Sequence, residues 1–375
     1  MDSCDVLIVG GGPAGSSCAW GLRRSGANVL LLDKQDFPRD KVCGGWITPR
    51  VLAALEIDPE EYARGRVLQP ITGFRVGHIA ECGAKASAVE IDYGRAVSFG
   101  IRRREFDDYL LRRSGATLRL GAGLTSLRRK GDAWIANEQI NDEIQARVVV
   151  GAGGHFCPVA RLTGAKAANE PAVVAQETEF KLCPDQLARC RIRGDRPELY
   201  FCSDMKGYGW CFRKGAYLNV GLGRADPHGL TAHVAAFLQF LKTAGRISFE
   251  IPPLHGHAYL LHGTSTRAAN KDGIVLIGDA AGLAHPQSGE GIWPAVESGL
   301  LAARSIVNQQ METYRSPSLI ATRAPASAAS IARLLPPTVA AFLGRNLLRT
   351  RWFVRDVVLN SWFLGTGVSQ EVHSS

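Results

Sequence analysis

Asp5-Val6-Leu7-Ile8-Val9 runs straight into Gly10-Gly11-Gly12-Pro13-Ala14-Gly15, and this stretch decides the fold. The apolar run reads as a strand buried on both faces, the kind that fills parallel sheets. Ser16 to Ser25 reads as a helix ended by Gly26, and Asn28-Val29-Leu30-Leu31-Leu32 as a second strand with Asp33 at its end. The glycines therefore form G-x-G-x-x-G between a strand and a helix, with an acid about 20 residues further on. In that setting Gly10 makes the tight turn, Gly12 admits a pyrophosphate, Gly15 lets helix and strand approach, and Asp33 bonds a ribose hydroxyl. The same glycines also occur in plain structural turns; the strand, helix and acid around them favour a dinucleotide. The fingerprint does not separate NAD from FAD.

Two later stretches do. Arg147-Val148-Val149-Val150 leads into Gly151-Ala152-Gly153-Gly154, and Ile274-Val275-Leu276-Ile277 leads into Gly278-Asp279-Ala280-Ala281-Gly282-Leu283-Ala284-His285-Pro286-Gln287-Ser288-Gly289-Glu290-Gly291-Ile292. A helix is expected from near Glu290, with Pro294 in its first turn, where proline is tolerated. Three glycine-rich strand ends spread over the chain describe a discontinuous domain wrapped around a long cofactor, which fits FAD better than NAD. Asp279 is expected to bond the ribityl or pyrophosphate part, with helix N-cap or turn aspartate as the plainer alternative. The backbone at Pro286, Gly289 and Gly291 would face the pyrimidine edge of the flavin, where a helix N-terminus favours negative charge.

Between these edges the pattern changes. Residues 66–99 alternate loosely, and Val173 to Phe180, Glu198 to Cys202, Tyr208 to Arg213 and Tyr217 to Gly223 read as strands of an antiparallel sheet with one covered face, with a helix at His233 to Thr243. The fold class expected is α/β: a Rossmann-like FAD-binding domain (1–65, 96–165, 267–310) carrying an inserted, mainly antiparallel α+β substrate domain (66–95, 166–266). Residues 311–375 form a basic, helical C-terminal segment broken at Pro336-Pro337. There Val339, Phe342, Leu343, Leu347, Val354, Val357 and Val358 keep near-helical spacing, with Arg345, Arg349, Arg351 and Arg355 between them. Such a helix either lies on an anionic membrane or packs on the domain.

The 375 residues allow two cores, and a composition with 41 glycines is that of a turn-rich globular protein. The net charge of +9 is scattered over short clusters such as Arg102-Arg103-Arg104, Arg112-Arg113 and Arg128-Arg129-Lys130, without a nucleic-acid module. Nucleic acid is not an expected partner. Nine cysteines without a C-x-x-C pair suggest neither a disulfide framework nor zinc, and no histidine shows metal spacing, so no metal site is expected. A cytoplasmic protein, peripheral to a membrane at most, is the expectation, since no apolar run approaches the length of a span. The oligomeric state is not legible.

At this point the chain resembles the geranylgeranyl reductase family of flavoproteins, within the group that shares the para-hydroxybenzoate hydroxylase fold. The resemblance covers roughly residues 4–310. It is carried by Gly10 to Gly15 with Asp33, by Lys41-Val42-Cys43-Gly44-Gly45 (the family's K-x-C-G-G), and by Arg103-Arg104-Glu105-Phe106-Asp107 (the group's R-x-x-F-D). Tyr208-Gly209-Trp210-Cys211-Phe212 (Y-x-W-x-F) and the long Gly278 to Gly291 run complete it. Two positions depart: Gly153 stands where the group has aspartate, and Arg213 where the family has proline, a charge expected to alter what enters the pocket.

The resemblance implies FAD contacts at Gly10, Gly12, Pro13, Ala14, Gly15, Asp33, Lys34, Cys43, Gly44, Gly45, Arg103, Gly278, Asp279, Pro286, Gly289, Gly291 and Ile292. Cys43, Tyr208 and Trp210 are the catalytic candidates: Cys43 as proton donor or redox partner, or else a small core residue; the aromatics as cavity wall, or else ordinary sheet packing. The implied activity is reduction of isoprenoid carbon–carbon double bonds on a small-molecule or lipid substrate. The alternatives are a flavin monooxygenase acting on an apolar or aromatic substrate and a non-catalytic flavin-binding protein. No second nucleotide fold is legible, which leaves NAD(P)H and ferredoxin open as electron donor.

Overall fold

The structure, a computed structural model, describes residues 2–80, 87–139, 142–166, 170–264, 267, 270–311, 314 and 336–366. The chain opens with β1 (Asp2–Val9), α1 (Pro13–Leu22), β2 (Val29–Leu32), β3 (Trp46–Ile47), α2 (Pro49–Ala54) and α3 (Pro59–Ala63). Next come β4 (Leu68–Ile71), β5 (Gly73–His78), β6 (Ala88–Asp92), β7 (Ser98–Ile101), α4 (Arg103–Arg112), β8 (Thr117–Arg119), β9 (Leu124–Lys130), β10 (Ala133–Glu138) and β11 (Glu143–Gly151). The middle holds α5 (Pro158–Leu162), β12 (Ala172–Lys181), α6 (Pro184–Arg189), β13 (Glu198–Phe201), β14 (Gly207–Lys214), β15 (Tyr217–Arg224), α7 (Leu230–Thr243) and β16 (His255–Leu260). Last are β17 (Asn270–Lys271), β18 (Ile274–Leu276) and α8 (Ile292–Val307), then a helix Pro337–Leu347 and a π-helical segment Phe353–Phe363.

The first sheet has eight strands, with β18, β11, β1, β2 and β8 running parallel side by side and β17, β10 and β9 added antiparallel. Val6, Leu7, Ile8, Val149, Val150, Leu31 and Leu32 are fully buried because helices cover one face and the β9–β10 hairpin and α5 the other. The second sheet has seven strands in the order β16-β12-β15-β14-β13-β5-β6, antiparallel except where β5 meets β13. Alternation along β15 splits its side chains: Leu218, Val220 and Leu222 enter a core under α7, while Tyr217, Asn219, Gly221 and Gly223 face the other way. A third sheet, β3-β7-β4, joins the two. The α/β class with a second, mainly antiparallel sheet is thus the observed architecture.

Boundaries differ from expectation where chemistry moves them. α1 starts at Pro13 instead of Ser16, because proline at N1 has its φ pre-set and needs no N–H partner there. α8 starts at Ile292, two residues past Glu290, since Glu290 accepts the Trp293 N–H from outside the helix. The C-terminal apolar run is not one amphipathic helix. Leu348 to Thr350 turn the chain, after which Val354, Val358, Leu359 and Phe363 bury against the second sheet, whereas Val339, Phe342, Leu343 and Leu347 stay exposed. Residues 312–313, 315–335 and 367–375 of that predicted segment lie outside the described residues. No described helix is long and apolar enough to cross a membrane. The basic clusters are largely paired: Arg102 with Glu105 and Glu179, Arg103 with Asp107, Arg112 with Asp108, Arg128 with Glu143.

Candidate active site at the sheet edge

The parallel strands end side by side, so Gly10–Gly12 after β1, Asp33 after β2, Ala152–Gly154 after β11 and Gly278–Ala280 after β18 share one edge. The chain steps outward from β1 to β2 and β8, then returns past β1 to β11, which makes the β1–β11 crevice the switch point where α/β sheets bind ligands. Gly10, at φ +117°, presses so close that a Cβ there would lie 2.4 Å from the Ala152 carbonyl oxygen. A Cβ at Gly15 would lie 1.9 Å from the Gly10 carbonyl oxygen. At Gly12, by contrast, it would meet nothing but the Arg39 guanidinium at 3.6 Å. The two glycines are structural; the third leaves an open cradle.

Asp33 holds that cradle. Its carboxylate accepts the N–H of Gly11 (2.7 Å) and of Gln35 (2.9 Å), leaving two of its lone-pair sites for hydroxyls. Gly12 and Gly291 are the N-caps of α1 and α8, neither with a side-chain cap from the N-cap residue. The Ala14 and Gly15 N–H groups of α1 and the Ile292 N–H of α8 therefore remain to be satisfied, the Trp293 N–H being taken by Glu290. The helices pack tightly because Gly299 lies over the Ala14 carbonyl, and Ala14 also touches Gly278. Pro13 and Ala14 are buried in this junction, and Ile292 points its side chain into the core, leaving only its backbone for the site. Asp279 sits in the turn between them; burial raises its pKa, against the pull of Lys41, Arg103 and Arg267. Lys34 stands apart, exposed beside Gly123.

The Lys41–Gly45 loop is gripped from the second sheet. Asn219 donates to the Cys43 carbonyl (3.1 Å) and to Glu177 (2.5 Å) and accepts the Trp210 indole N–H (2.7 Å), while Glu177 accepts the Cys43 N–H (3.0 Å). Buried Lys214 donates to the carbonyls of Gly44 (3.0 Å) and Ile101 (2.9 Å) and pairs with Glu179 at 2.5 Å. Gly45, at φ +64°, lies against the Ile101 carbonyl, where a Cβ would sit at 2.2 Å. The Cys43 thiol, half-buried, accepts the Gly45 N–H at 3.4 Å and touches Arg103, whose guanidinium is locked by two 2.7 Å bonds to Asp107. Burial, with Arg103 nearby, lowers Lys41 to about 8, and its ammonium lies 3.1 Å from His257 Nε2; burial first and Lys41 second press His257 down to about 3.

Next to this loop lies a cavity of about 170 Å³, walled by Val173, Phe201, Tyr208, Tyr259 and Leu261 on one side and by Pro286 to Gly289 on the other. Tyr208 lines it and donates its hydroxyl to the Ser288 carbonyl. Trp210 does not: its ring covers Gly221 and its N–H is spent on Asn219, so it supports the loop and is no wall of the cavity. Arg213 does not reach the cavity either; it donates to the Ile192 carbonyl, so the charge expected to alter the pocket faces elsewhere. At Gly153 a Cβ would lie 3.0 Å from Pro158 Cδ and 3.1 Å from Cys157 Cα, so an aspartate in the turn after β11 would need these neighbours to give by a few tenths of an ångström.

Burial pushes the Glu290 carboxyl up to about 7, from 4.5 for an ordinary glutamate. The folded state then keeps a proton that the unfolded chain releases, so this group's contribution falls as pH rises from 4.5 to 7. Glu290→Gln retains the acceptor for the Trp293 N–H (3.0 Å) and removes the titration. The variant is expected to lose about 1–3 kcal/mol less stability than the parent across that window. Urea unfolding at pH 5 and pH 7.5 measures this, and identical slopes for both proteins would refute it.

Open N–H groups at two helix starts, carboxylates with spare acceptor sites and three cations at one edge form a donor set that fits FAD, with its diphosphate, its hydroxyl-bearing chain and its ring. The comparison of sequences agrees: a family model described as "FAD binding domain" matches residues 3–322. The chain belongs to that FAD-binding family. Among its relatives, the digeranylgeranylglycerophospholipid reductase of Methanocaldococcus jannaschii is 29% identical over 322 residues, covering 80% of this chain and 76% of that one. The menaquinone reductase of Mycobacterium tuberculosis is 29% identical over 350 residues, 86% of this chain and 81% of that one. Among solved structures, a geranylgeranyl bacteriochlorophyll reductase-like protein from Thermoplasma acidophilum superposes with a TM-score of 0.70 at 21% identity, covering 93% of this chain and 88% of the other. The motif resemblance to geranylgeranyl reductases is therefore borne out, and this FAD-binding protein is an FAD-dependent oxidoreductase.

Several residues around this edge and the Lys41–Gly45 loop escaped the sequence reading: Arg39, Glu177, Asn219, Lys214, His257 and Tyr259. One signal was present. In Tyr217–Arg224, Asn219 is the polar residue on a face otherwise carried by Tyr217 and glycines, which marks a face left open for a partner.

Proposed function

We propose that the enzyme reduces carbon–carbon double bonds in the prenyl chain of a lipid. The observation that carries this is the cavity of about 170 Å³, where Val173, Phe201, Tyr208, Tyr259 and Leu261 present aromatic and aliphatic surface beside the Gly289 loop, with Lys206 and Arg224 also in the lining. The two relatives' names, with their digeranylgeranyl and menaquinone substrates, point to the same chemistry. FAD would be held by the Gly10–Gly15 turn with Arg39 and Asp33, by the Lys41–Gly45 loop, and by Gly278, Asp279 and the start of α8. When bound and reduced, it supplies a hydride to one alkene carbon.

The chain's own part is to exclude water, orient the alkene and hold a proton for the second carbon. Tyr208 and Tyr259 keep their hydroxyl protons because burial raises both phenols well above the ordinary range. Both reach the cavity, and Tyr208 is fixed by its bond to Ser288. Cys43 is proposed to lie against the ring, steadied by Gly45 and Arg103.

The test is an anaerobic assay with dithionite as reductant, which makes it independent of whether NAD(P)H or ferredoxin is the natural donor. Product gaining two hydrogens per double bond, formed better without air, is the expected result. Oxygen consumed in step with a hydroxylated product would replace this reading with the monooxygenase one.

A further inference from the structure

The helix Pro337–Leu347 carries its apolar stripe on the outside. Val339, Phe342, Leu343 and Leu347 follow helical spacing and are 42%, 58%, 45% and 37% exposed, and Trp352 beyond the helix end is 59% exposed. Toward the protein body the same stretch offers Ala341 and Leu348. Among the described residues, five of the eight large apolar side chains left exposed lie here. Scattered exposed leucines are ordinary; a contiguous stripe marks an interaction surface.

Charge says which kind. From Pro336 to Arg355 the chain carries Arg345, Arg349, Arg351 and Arg355 and no acid. A second copy docking here would bring like charges together, whereas an anionic surface would neutralise them. An apolar stripe bracketed by arginines, with a tryptophan at its edge, is the pattern of a helix lying in a membrane interface. Place supplies the rest. A Cβ at Gly344 would lie 3.2 Å from the Met205 side chain, and Arg345 donates to the Ser203 carbonyl at 3.3 Å. Met205 is also part of the cavity's lining, so the helix sits at the cavity's rim.

We propose that the Pro337–Leu347 helix docks the enzyme on an anionic lipid bilayer, its apolar stripe sunk into the interface, and sets the Met205 rim of the cavity against the surface that delivers the substrate chain. Docking needs no assumption about the reaction; the delivery half rests on the prenyl-lipid reading. The helix acts as an interfacial anchor and crosses nothing.

The FAD-loaded full chain is mixed with vesicles of phosphatidylcholine alone and of phosphatidylcholine with phosphatidylglycerol, and binding is read by flotation and by the blue shift of tryptophan emission. Binding to the mixed vesicles is expected to be at least about tenfold tighter than to the neutral ones and to weaken with salt, each arginine contributing about fivefold near an anionic surface. Phe342→Glu with Leu343→Glu is expected to lose binding about 100-fold while keeping the flavin spectrum and turnover of detergent-dispersed substrate. Arg349→Gln with Arg351→Gln is expected to lose about 25-fold on mixed vesicles and nothing on neutral ones.

Failure of the parent protein to bind either vesicle, equal binding to both, or unchanged binding by the glutamate variant overturns the proposal. So does a parent dimer that the glutamate variant dissociates without vesicle binding, since a second copy would then cover the stripe. Should the glutamate pair misfold, Phe342→Ser with Leu343→Ser carries the same test. Vesicle binding with no prenyl reduction would keep docking and remove the function reading; the reverse outcome would remove docking alone.

Discussion

Gly15→Ala is expected to yield little folded protein and no bound flavin. A Cβ there would lie 1.9 Å from the Gly10 carbonyl oxygen and 3.1 Å from the Ile8 side chain. Nothing in that shell is a flexible end that can swing away: the nearest obstacle is backbone, and Gly10 is itself held by its N–H bond to the Leu32 carbonyl at 2.8 Å. Overpacking of a core by a methyl usually costs about 1–3 kcal/mol, and a backbone clash of this depth should cost about 4 kcal/mol or more. Gly12→Ala provides the contrast. Gly12 has an ordinary φ of −73° and an added Cβ would meet only Arg39 at 3.6 Å, so that protein is expected to fold with a parental melting temperature and lose FAD. Thermal melting and the flavin-to-protein absorbance ratio separate the two outcomes. If Gly15→Ala melts like the parent, or if Gly12→Ala keeps full flavin, the division into a structural glycine and a cofactor glycine is wrong.

Asn219→Leu is the second large effect. The side chain satisfies three buried partners at once: the Trp210 N–H, the Cys43 carbonyl and Glu177. Leucine leaves the first two unpaired and takes one donor from the third, at about 1–3 kcal/mol for each orphaned group. A total loss of about 4 kcal/mol is expected in guanidinium unfolding. Burial already raises Glu177 to about 7, against the Cys43 N–H, Lys214 and the Asn219 amide that favour its charge. Removing the amide should raise it further and loosen the Lys41–Gly45 loop, slowing turnover more than it weakens FAD. Trp210→Phe, which removes one donor only, should cost roughly a third as much. Equal losses for the two variants would show that packing of the indole, not the network, holds the loop.

The readable part of this molecule was local. Glycines after apolar runs reported strand ends, because a turn, a close approach and a helix start each demand particular residues within a few positions. Strand ends shared by one parallel sheet then had to meet at one edge, so Gly10, Ala152 and Gly278 could be brought together before any coordinates. The unreadable part was pairing across elements. Lys214 lies just past the strand read as Tyr208 to Arg213 and carries no signal of its own, yet it is buried beneath Gly44 and Ile101 because β14 ends against β7. For Tyr208 and Trp210 the sequence left cavity wall and ordinary sheet packing both open, and the two part ways: Tyr208 reaches the cavity, and Trp210 is stopped by Asn219 and Gly221. The C-terminal run misled for a related reason. Apolar spacing predicts that a helix has two faces but not which of them turns inward, and Val339 to Leu347 face out while Val354 to Phe363 face in.

The strand order also bears on how the protein is made. β18 pairs with β11 at the centre of the first sheet's left half, yet it leaves the ribosome only after every strand of the second sheet. During synthesis the C-terminal part of β11, Val149–Gly151, must wait with that edge unpaired, β10 covering only its first half, while the second sheet, complete by β16, is already free to fold. The glycines of the last turn and the start of α8 arrive later still, so the emerging chain cannot clasp a dinucleotide until both sheets have been threaded. Flavin capture would then certify a finished molecule, and a chain cut short before Ile274 would stay colourless while its second sheet folds.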